Sequence, residues 1–366
     1  MPFAAVIPAP HQPVEIREFA EPDLAPGGML LRTEYSEVCG TDVHLWHGRL
    51  SGVPYPLIPG HVSVGHAEKI RGEVIGGDGQ RLKEGDRIVF YDVHRTCGRC
   101  YACAVSGTPT KCLSRRVYGI TDGASDGLFG GWSEAIYLEP GVVAARLPGS
   151  VRPEDYIGGG CGLITAVHAI DRGAIRLADA VLVQGTGAVG LSIVALARLS
   201  GAGVVIAIGA PGDRLALAGR MGADVTLDVT TTSPAERLER VLALTGGRGV
   251  DVGVEASGAP AAVEEGPGLI RDGGRYVIAG HYTDAGPSAM NAHHHINRKH
   301  LEIRGCWGSE AGHFLRALQV LERHAGAVPF RDIGARIYAL DELNQALAAA
   351  ASYAIPKALV APQRRA

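Results

Sequence analysis

The chain lacks a dominant charge. Its 366 residues carry 35 Lys and Arg against 38 Asp and Glu, a net of −3. That excludes the basic footprint of a nucleic-acid binder and the polybasic face of a membrane-surface protein. It also lacks an apolar stretch near its start. Residues 1–19 contain Glu15, Arg17 and Glu18, with prolines at 2, 8, 10 and 13, so no secretory signal is expected. No membrane span is expected either. The longest uncharged run, 180–197, is broken by Gln184, Gly185, Gly187 and Gly190, and reads as a strand, a tight turn and a helix start. There are 51 glycines but no collagen-like period, no internal repeat and no low-complexity tract. A soluble, cytoplasmic protein follows. In such a compartment its seven cysteines are metal ligands or buried thiols rather than disulfides. At roughly 100–200 residues per domain, the length suggests two domains.

Two patterns divide the chain. Residues 1 to 150 read as β-rich, with short apolar runs at 29–32, 87–91 and 134–138 between Gly and Pro. From 162 to 305, strands predicted at 180–183, 203–208, 250–255 and 275–279 alternate with helices at 191–199 and 214–221. That alternation predicts an α/β fold with a doubly wound parallel sheet. The tail, with helical stretches at 313–323 and 340–351, is too short to stand alone and is expected to return to the first domain.

The cysteines fall into two groups. Cys97, Cys100, Cys103 and Cys112 are spaced C-x2-C-x2-C-x8-C. Three cysteines in such a register arise by chance on the order of once in 10⁵ start sites. Four soft thiolates suit a closed tetrahedral zinc with no vacant position, a structural site. Four free thiols or a redox pair are the competing readings, and no thioredoxin-like unit surrounds them. Cys39, Cys161 and Cys306 remain. Cys39 is followed after 22 residues by His61. One His and two Cys would leave a fourth tetrahedral position open, as a catalytic zinc requires. Spacing alone leaves this open, because an isolated cysteine is usually a small buried hydrophobe.

A glycine turn supplies context. The apolar run 181–184 leads into Gly185-Thr186-Gly187-Ala188-Val189-Gly190 and then a predicted helix. In a strand–turn–helix setting, G-x-G-x-x-G reads as a dinucleotide site. Gly185 permits the turn, Gly187 admits a pyrophosphate, Gly190 lets helix and sheet pack closely, and the helix N-terminus faces the phosphates.

With these motifs assembled, the whole chain resembles the zinc-dependent medium-chain dehydrogenase/reductase family, the alcohol and polyol dehydrogenases. The resemblance is carried by Cys-Gly-Thr-Asp-x-His at 39–44, Pro-Gly-His at 59–61, the four-cysteine lobe at 97–112 and Cys-Gly-Leu-Ile-Thr at 161–165. The glycine turn at 185–190, Val-Glu-Ala-Ser-Gly at 254–258 and Gly-Gly-Arg at 273–275 complete it. It implies a GroES-like catalytic domain from residues 1–162 and 306–366 and a Rossmann domain over 163–305. The implied reaction is hydride transfer between an alcohol, or the corresponding ketone or aldehyde, and NAD or NADP. One catalytic and one structural zinc per chain are implied, with a homodimer or homotetramer.

Residue by residue, the resemblance implies that Cys39, His61 and Cys161 hold the catalytic zinc. Thr41 receives the alcohol proton, His44 passes it toward solvent, and Asp42 orients His61. Thr165 and Val189 lie beside the nicotinamide, and Lys357 is a cation near the pyrophosphate. Trp46, His47, Val93, His94 and Trp132 fall where the family lines its substrate pocket, Trp132 being equally readable as plain core. The imidazoles of His47 and His94 point to a polar substrate such as a polyol or cyclitol. Two departures stand out. Val62 follows His61 where the family has Glu, and the fourth structural cysteine comes one residue late.

The ribose-binding acid expected about 20 residues after the glycines is absent. The second strand ends at Gly209, which permits NADP, while the nearest cation, Arg214, is five residues on. Asp213 remains within reach of a ribose, and NAD is favoured. His293, His294 and His295 read as a solvated loop, since adjacent side chains diverge, and Cys306 as a buried thiol. Two rivals remain. One is a zinc-free enone or quinone reductase on the same scaffold; the other is a non-enzymatic dinucleotide-binding zinc protein.

Overall fold

The computed structural model describes residues 1–334 and 336–364. The chain forms two compact units. The first comprises 1–160, 310–325 and 330–366, and the second 161–309 and 326–329. The expected boundaries lay at 162 and 305. The observed crossings differ by a few residues because the helix Pro153–Gly173 runs through the first of them. That helix is broken at Gly160 (φ 46°, ψ −142°), and the crossing falls at the break.

The first unit is built on a seven-stranded sheet. Its path runs Arg336–Ala339, Ala358–Ala361, Met29–Val38, Ser63–Ile70, Arg87–Phe90 and Ala144–Arg146, with Ala135–Leu138 also paired to Met29–Val38. The tail thus returns to this unit as a strand beside Met29–Val38. That strand extends six residues beyond the predicted 29–32. The extension is Thr33, Glu34, Tyr35, Ser36, Glu37 and Val38, too polar to read as core. Yet Thr33, Ser36 and Glu37 are fully buried. Ser36 Oγ donates to Val62 O (3.2 Å) and Glu37 is paired as described below, which lets the strand continue; Thr33 Oγ1 is buried without a hydrogen-bond partner. Trp132, Leu30, Val38, Leu45 and Val360 share one apolar cluster; Met29, Leu31, Ile88, Phe90 and Ile136 form another.

The second unit carries a six-stranded sheet, all parallel, in the order Val225–Asp228, Val204–Gly209, Ala180–Gln184, Val250–Glu255, Ile270–Ile278, Glu302–Gly305. Numbered within the unit, this is 3-2-1-4-5-6, the doubly wound dinucleotide-binding order. Strands and helices expected there are present, with two further helices at Pro234–Leu244 and Pro260–Leu269. Among the described residues no helix is long and apolar enough to cross a membrane.

At the point where strand order reverses, Glu255 ends the fourth strand and is fully buried. Its carboxylate accepts from Ser257 N (2.6 Å), Ser257 Oγ (2.8 Å), Gly258 N (2.6 Å) and Gly280 N (3.1 Å). One anion therefore fixes the loops after two adjacent strands. Replacing it by an amide turns an NH₂ against backbone donors. Glu255→Gln is expected to lower unfolding stability by roughly 2–3 kcal/mol, read as a lower urea midpoint at unchanged slope. A loss below about 0.5 kcal/mol would contradict this role.

Candidate active site

The helix Gly40–Trp46 starts at Cys39, whose extended backbone (φ −129°) makes it the N-cap. Asp42 closes that end. Its Oδ2 accepts from Cys39 N at 2.9 Å, which sets the direction of the Cys39 side chain. His61 follows Gly60 (φ 89°), a position where a Cβ would meet Trp132 and Ser36 at 2.7–2.8 Å. Only glycine lets the chain pass there and deliver the imidazole. Cys161 is bonded to Gly160 at the helix break.

The three side chains converge, together with a fourth that sequence reasoning missed. Donor atoms of Glu37, Cys39, His61 and Cys161 all lie within 4.8 Å of one another. Cys39 Sγ is 3.7 Å from His61 Nε2, and Glu37 Oε1 is 3.1 Å from the same nitrogen. Glu37 Oε2 accepts from Lys357 Nζ at 2.6 Å. Lys357 also donates to the carbonyls of Ile157 and Gly159 (3.2 and 3.3 Å). Burial alone would raise the Glu37 carboxyl, but the Lys357 ammonium and His61 hold it well below the usual carboxylate range. Burial alone would depress His61. The Cys39 sulfur and the Glu37 carboxylate override it and push the imidazole well above its ordinary value. Both neighbours thus favour the protonated imidazole, whereas a nitrogen that binds a metal must be free of its proton. Two cysteines, one imidazole and one carboxylate, of which Cys161 alone is not buried, form a donor set that fits zinc.

Two expectations change here. Lys357 has no exposed surface and spends its charge on Glu37 and two carbonyls, so it cannot reach a cofactor pyrophosphate. Asp42 does not hydrogen-bond His61. Its Oδ1 and His61 Nδ1 are both buried without a hydrogen-bond partner, because the other carboxylate oxygen is committed to the helix cap.

Thr41 and His44 sit three residues apart on the helix Gly40–Trp46, hence on one face. Burial first, then Arg49, depress the His44 pKa, so its imidazole is neutral near neutral pH. Trp46 and His47 are half-buried, their rings 4.8 Å apart. His11 packs on both, at 5.7 and 5.2 Å. Val93 and His94 line a cavity of about 390 Å³ with Tyr91, Arg95 and Thr110, and none of the convergent donors borders it. His94 is not available to a substrate. Nδ1 is 2.6 Å from Glu139 Oε2 and Nε2 is 3.0 Å from Asp122 Oδ2. Trp132 is plain core, fully buried, donating Nε1 to Glu37 O (2.9 Å).

The four-cysteine lobe forms the second donor cluster, with Sγ atoms of Cys97, Cys100, Cys103 and Cys112 within 4.8 Å. Cys97 N points at Cys112 Sγ and Cys100 N at Cys97 Sγ, each at 3.3 Å. Backbone N–H groups of Arg99 and Cys100 pull the Cys97 thiol down to about 6. Gly98 and Gly107 take left-handed turns (φ 68° and 61°). The wider final loop carries the short helix Pro109–Lys111, which absorbs the extra residue before Cys112.

In the second unit, Gly185 (φ 113°) turns against Ala256 and Ser257, where a Cβ would lie 2.8 Å from backbone. At Gly190 a Cβ would meet Gly185 O at 1.9 Å. Gly187, by contrast, opens onto free space at the N-cap of the helix Ala188–Leu199. This is the arrangement a pyrophosphate requires. Gly162 packs on Ala188, with a Cβ there 2.9 Å from its carbonyl, so the helix bearing Thr165 abuts the turn bearing Val189. Gly209 is enforced. A Cβ would lie 2.5 Å from Thr186 Oγ1, and Thr186 donates to Ala210 O (3.1 Å). The hydroxyl thus takes the space where a ribose-binding acid would begin. Arg214 is buried, and Asp213 Oδ1 accepts its backbone N–H. His293–His295 lie in the exposed turn Ala292–Asn297 and belong to no donor cluster among the described residues. Cys306 is buried, and that burial pushes its thiol up to about 12.

The chain is similar to known proteins in sequence and fold. A family model described as alcohol dehydrogenase GroES-like domain matches residues 25–148, and one described as zinc-binding dehydrogenase matches 188–323. The 5-exo-hydroxycamphor dehydrogenase of Pseudomonas putida is 33% identical over 328 residues, 89% of each chain. A crystal structure of an alcohol dehydrogenase from Thermotoga maritima superimposes with a TM-score of 0.94 at 33% identity over 99% of both chains. A structure assigned as a zinc-binding dehydrogenase of Sinorhizobium meliloti, bound to NADP, gives 0.86 at 26% identity, again over 99% of both.

Gly160 is the hinge of the donor cluster. A Cβ there would lie 2.1 Å from Glu37 Oε2 and 2.2 Å from Lys357 Nζ, at a φ of 46°. Gly160→Ala is expected to push that ion pair aside and carry Cys161 with it. Metal analysis should show loss of the ion held near Cys39 with that at the four cysteines retained; full occupancy of both would contradict the reading.

Proposed function

The chain belongs to the zinc-binding alcohol dehydrogenase family of medium-chain dehydrogenases/reductases, and from that premise we propose a zinc-dependent enzyme passing hydride between an alcohol and NAD. Alcohol oxidation or carbonyl reduction with NAD(P) is the activity of the family. Zinc dependence, the preference for NAD and the residue roles are our reading. The observation that carries it is the convergence of Cys39, His61 and Cys161 beside the helix bearing Thr41 and His44. A zinc-free reductase has no use for these donors, and a structural subunit has no use for the relay.

A zinc bound there would supply a Lewis acid that favours the deprotonated substrate hydroxyl, and the nicotinamide would supply the hydride acceptor. The four cysteines would hold a second, closed zinc. Thr41 Oγ1 accepts the hydroxyl proton of the substrate and donates its own onward. His44, one turn along, takes the proton as a neutral imidazole and gives it up to solvent. The glycine turn positions the dinucleotide, with Gly187 leaving room for the pyrophosphate. NAD is favoured because neither Gly209 nor buried Arg214 offers a cation to a 2′-phosphate.

The substrate is a small alcohol or its carbonyl counterpart. With His94 locked between two carboxylates, the polar-substrate reading rests on His47 alone. Hydroxylated cyclic alcohols are the first class to assay, 5-exo-hydroxycamphor among them, since a 33% identical relative bears that name. We place the enzyme in the cytoplasm as a homodimer or homotetramer, which light scattering on the purified protein would test. Nicotinamide absorbance with a panel of alcohols and both cofactors tests the activity. No turnover of any alcohol by zinc-replete protein would overturn the proposal.

The relay has its own signature. Wild-type alcohol oxidation should fall on the acid side, at a pH below the ordinary imidazole value of 6.5, as His44 gains a proton it can no longer accept. His44→Gln is expected to slow oxidation about 10²-fold on the plateau and to lose that acid limb. An unchanged pH–rate profile would remove His44 from the relay.

A further inference from the structure

The position after His61 is Val62, so the carboxylate that relatives place there is missing. Val62 is buried and sits across the antiparallel ladder from Glu37, whose N–H donates to Val62 O at 3.2 Å. A carboxylate lost from one strand is thus present on its cross-strand neighbour. We propose that, while no substrate is bound, Glu37 is a fourth protein ligand of the metal held by Cys39, His61 and Cys161, yielding that position to the substrate hydroxyl, and that Lys357 supplies the charge that makes this third anionic donor tolerable. The inference rests on those three residues holding a metal at all.

Three observations carry it. The first is distance. Ideal tetrahedral zinc, with Zn–S about 2.3 Å and Zn–N or Zn–O about 2.0–2.2 Å, separates S from N by about 3.6 Å and O from N by about 3.4 Å. The structure has 3.7 Å for Cys39 Sγ to His61 Nε2 and 3.1 Å for Glu37 Oε1 to the same nitrogen. The donors already stand near coordinating separations.

The second is hydrogen-bond accounting. His61 Nε2 faces the Cys39 sulfur, so it is the nitrogen that would bind the ion. A metal-bound nitrogen has released its proton to solvent and can no longer donate to Glu37. Oε1, 3.1 Å from that nitrogen, would then lose the proton His61 offers it and stand among the ion's other donors instead. Oε2 is tethered to Lys357, so the carboxylate is not free to turn away.

The third is charge. Two thiolates neutralise a divalent ion. A further carboxylate, itself fully buried, would leave an uncompensated buried charge, costly by several kcal/mol. Lys357, with no exposed surface, cancels it. Three negative and three positive charges then balance within one cluster. Such a cluster needs a lysine deep in the protein and a glycine at 160 to accommodate the pair, and both are present.

Cobalt(II) in place of zinc tests this on the full-length protein, because its visible ligand-field bands report the donor set. The cage spectrum is taken as the difference between wild type and Cys39→Ser, so the four-cysteine lobe cancels. Glu37→Gln removes the donor, but it leaves Lys357 buried without a counter-ion. The double variant Glu37→Gln/Lys357→Met restores neutrality and keeps the test open should the single variant not fold. We expect a second cobalt per wild-type chain with four-coordinate bands. In the double variant those bands should shift, and cobalt affinity, read by competition with a chromophoric chelator, should fall at least about tenfold. Superimposable spectra with unchanged affinity would overturn Glu37 as a ligand while leaving the three-donor site standing. Only one cobalt per wild-type chain would overturn the metal reading itself, and this inference with it.

Discussion

The buried contact between Glu37 and Lys357 is the constraint around which the candidate centre is arranged. Both side chains are removed from solvent, and a pair of this kind is not a reliable source of stability. Desolvating two charges costs about what their attraction returns, whereas deleting one partner is heavily penalised, by roughly 3–5 kcal/mol. Its value lies in what it fixes. Lys357 sits at the start of the returning strand Ala358–Ala361, Glu37 near the end of Met29–Val38, and the carbonyls of Ile157 and Gly159 precede the helix break. One ammonium therefore ties the tail, the central strand and the segment leading to Cys161 to a common point. Gly160 follows from this. Any side chain there would occupy the space of the pair, so the helix must break where Cys161 is to be delivered.

That economy explains how ligands far apart in sequence are held without long hydrogen-bond networks. Cys39 is set by a helix cap, His61 by a glycine that slips past Trp132, and Cys161 by a kink pressed against an ion pair. The first two devices are local; the third depends on a side-chain pair that joins strands far apart in sequence. Asp42 shows the cost of such economy. Committed to the cap, it leaves its second oxygen and the outer nitrogen of His61 both buried without partners.

Much of this was legible in the sequence. The parallel sheet of the second unit follows from alternating strands and helices, and the convergence of the four cysteines from their spacing. The resemblance named Cys39, His61 and Cys161, and the structure brings them together. What sequence reasoning could not reach was the use made of ordinary residues. Glu37 lies in a strand extension whose polar composition looks like the end of a strand; only the partners supplied by Val62 and Lys357 make it core. Lys357 was read by analogy as a cofactor cation, and burial reassigns it. The resemblance places His94 in the pocket lining, whereas Asp122 and Glu139 claim both its nitrogens. The one available signal for Glu37 was the paired anomaly: a Val where a carboxylate is expected after His61, and a Glu two residues before Cys39. Neither is informative until the strand register sets Ser36 opposite Ser63 and thereby Glu37 against Val62.

The same register argument bears on how such a centre could have been reached. Moving a carboxylate from one strand to its cross-strand neighbour changes its approach to the ion and exposes it to a different set of charges. Opposite Val62 it lies within reach of Lys357, which also hydrogen-bonds the carbonyls of Ile157 and Gly159. On the proposed reading, two thiolates already meet the charge of a divalent ion, so the acid at 37 is tolerable only with its lysine, and the two act as a unit.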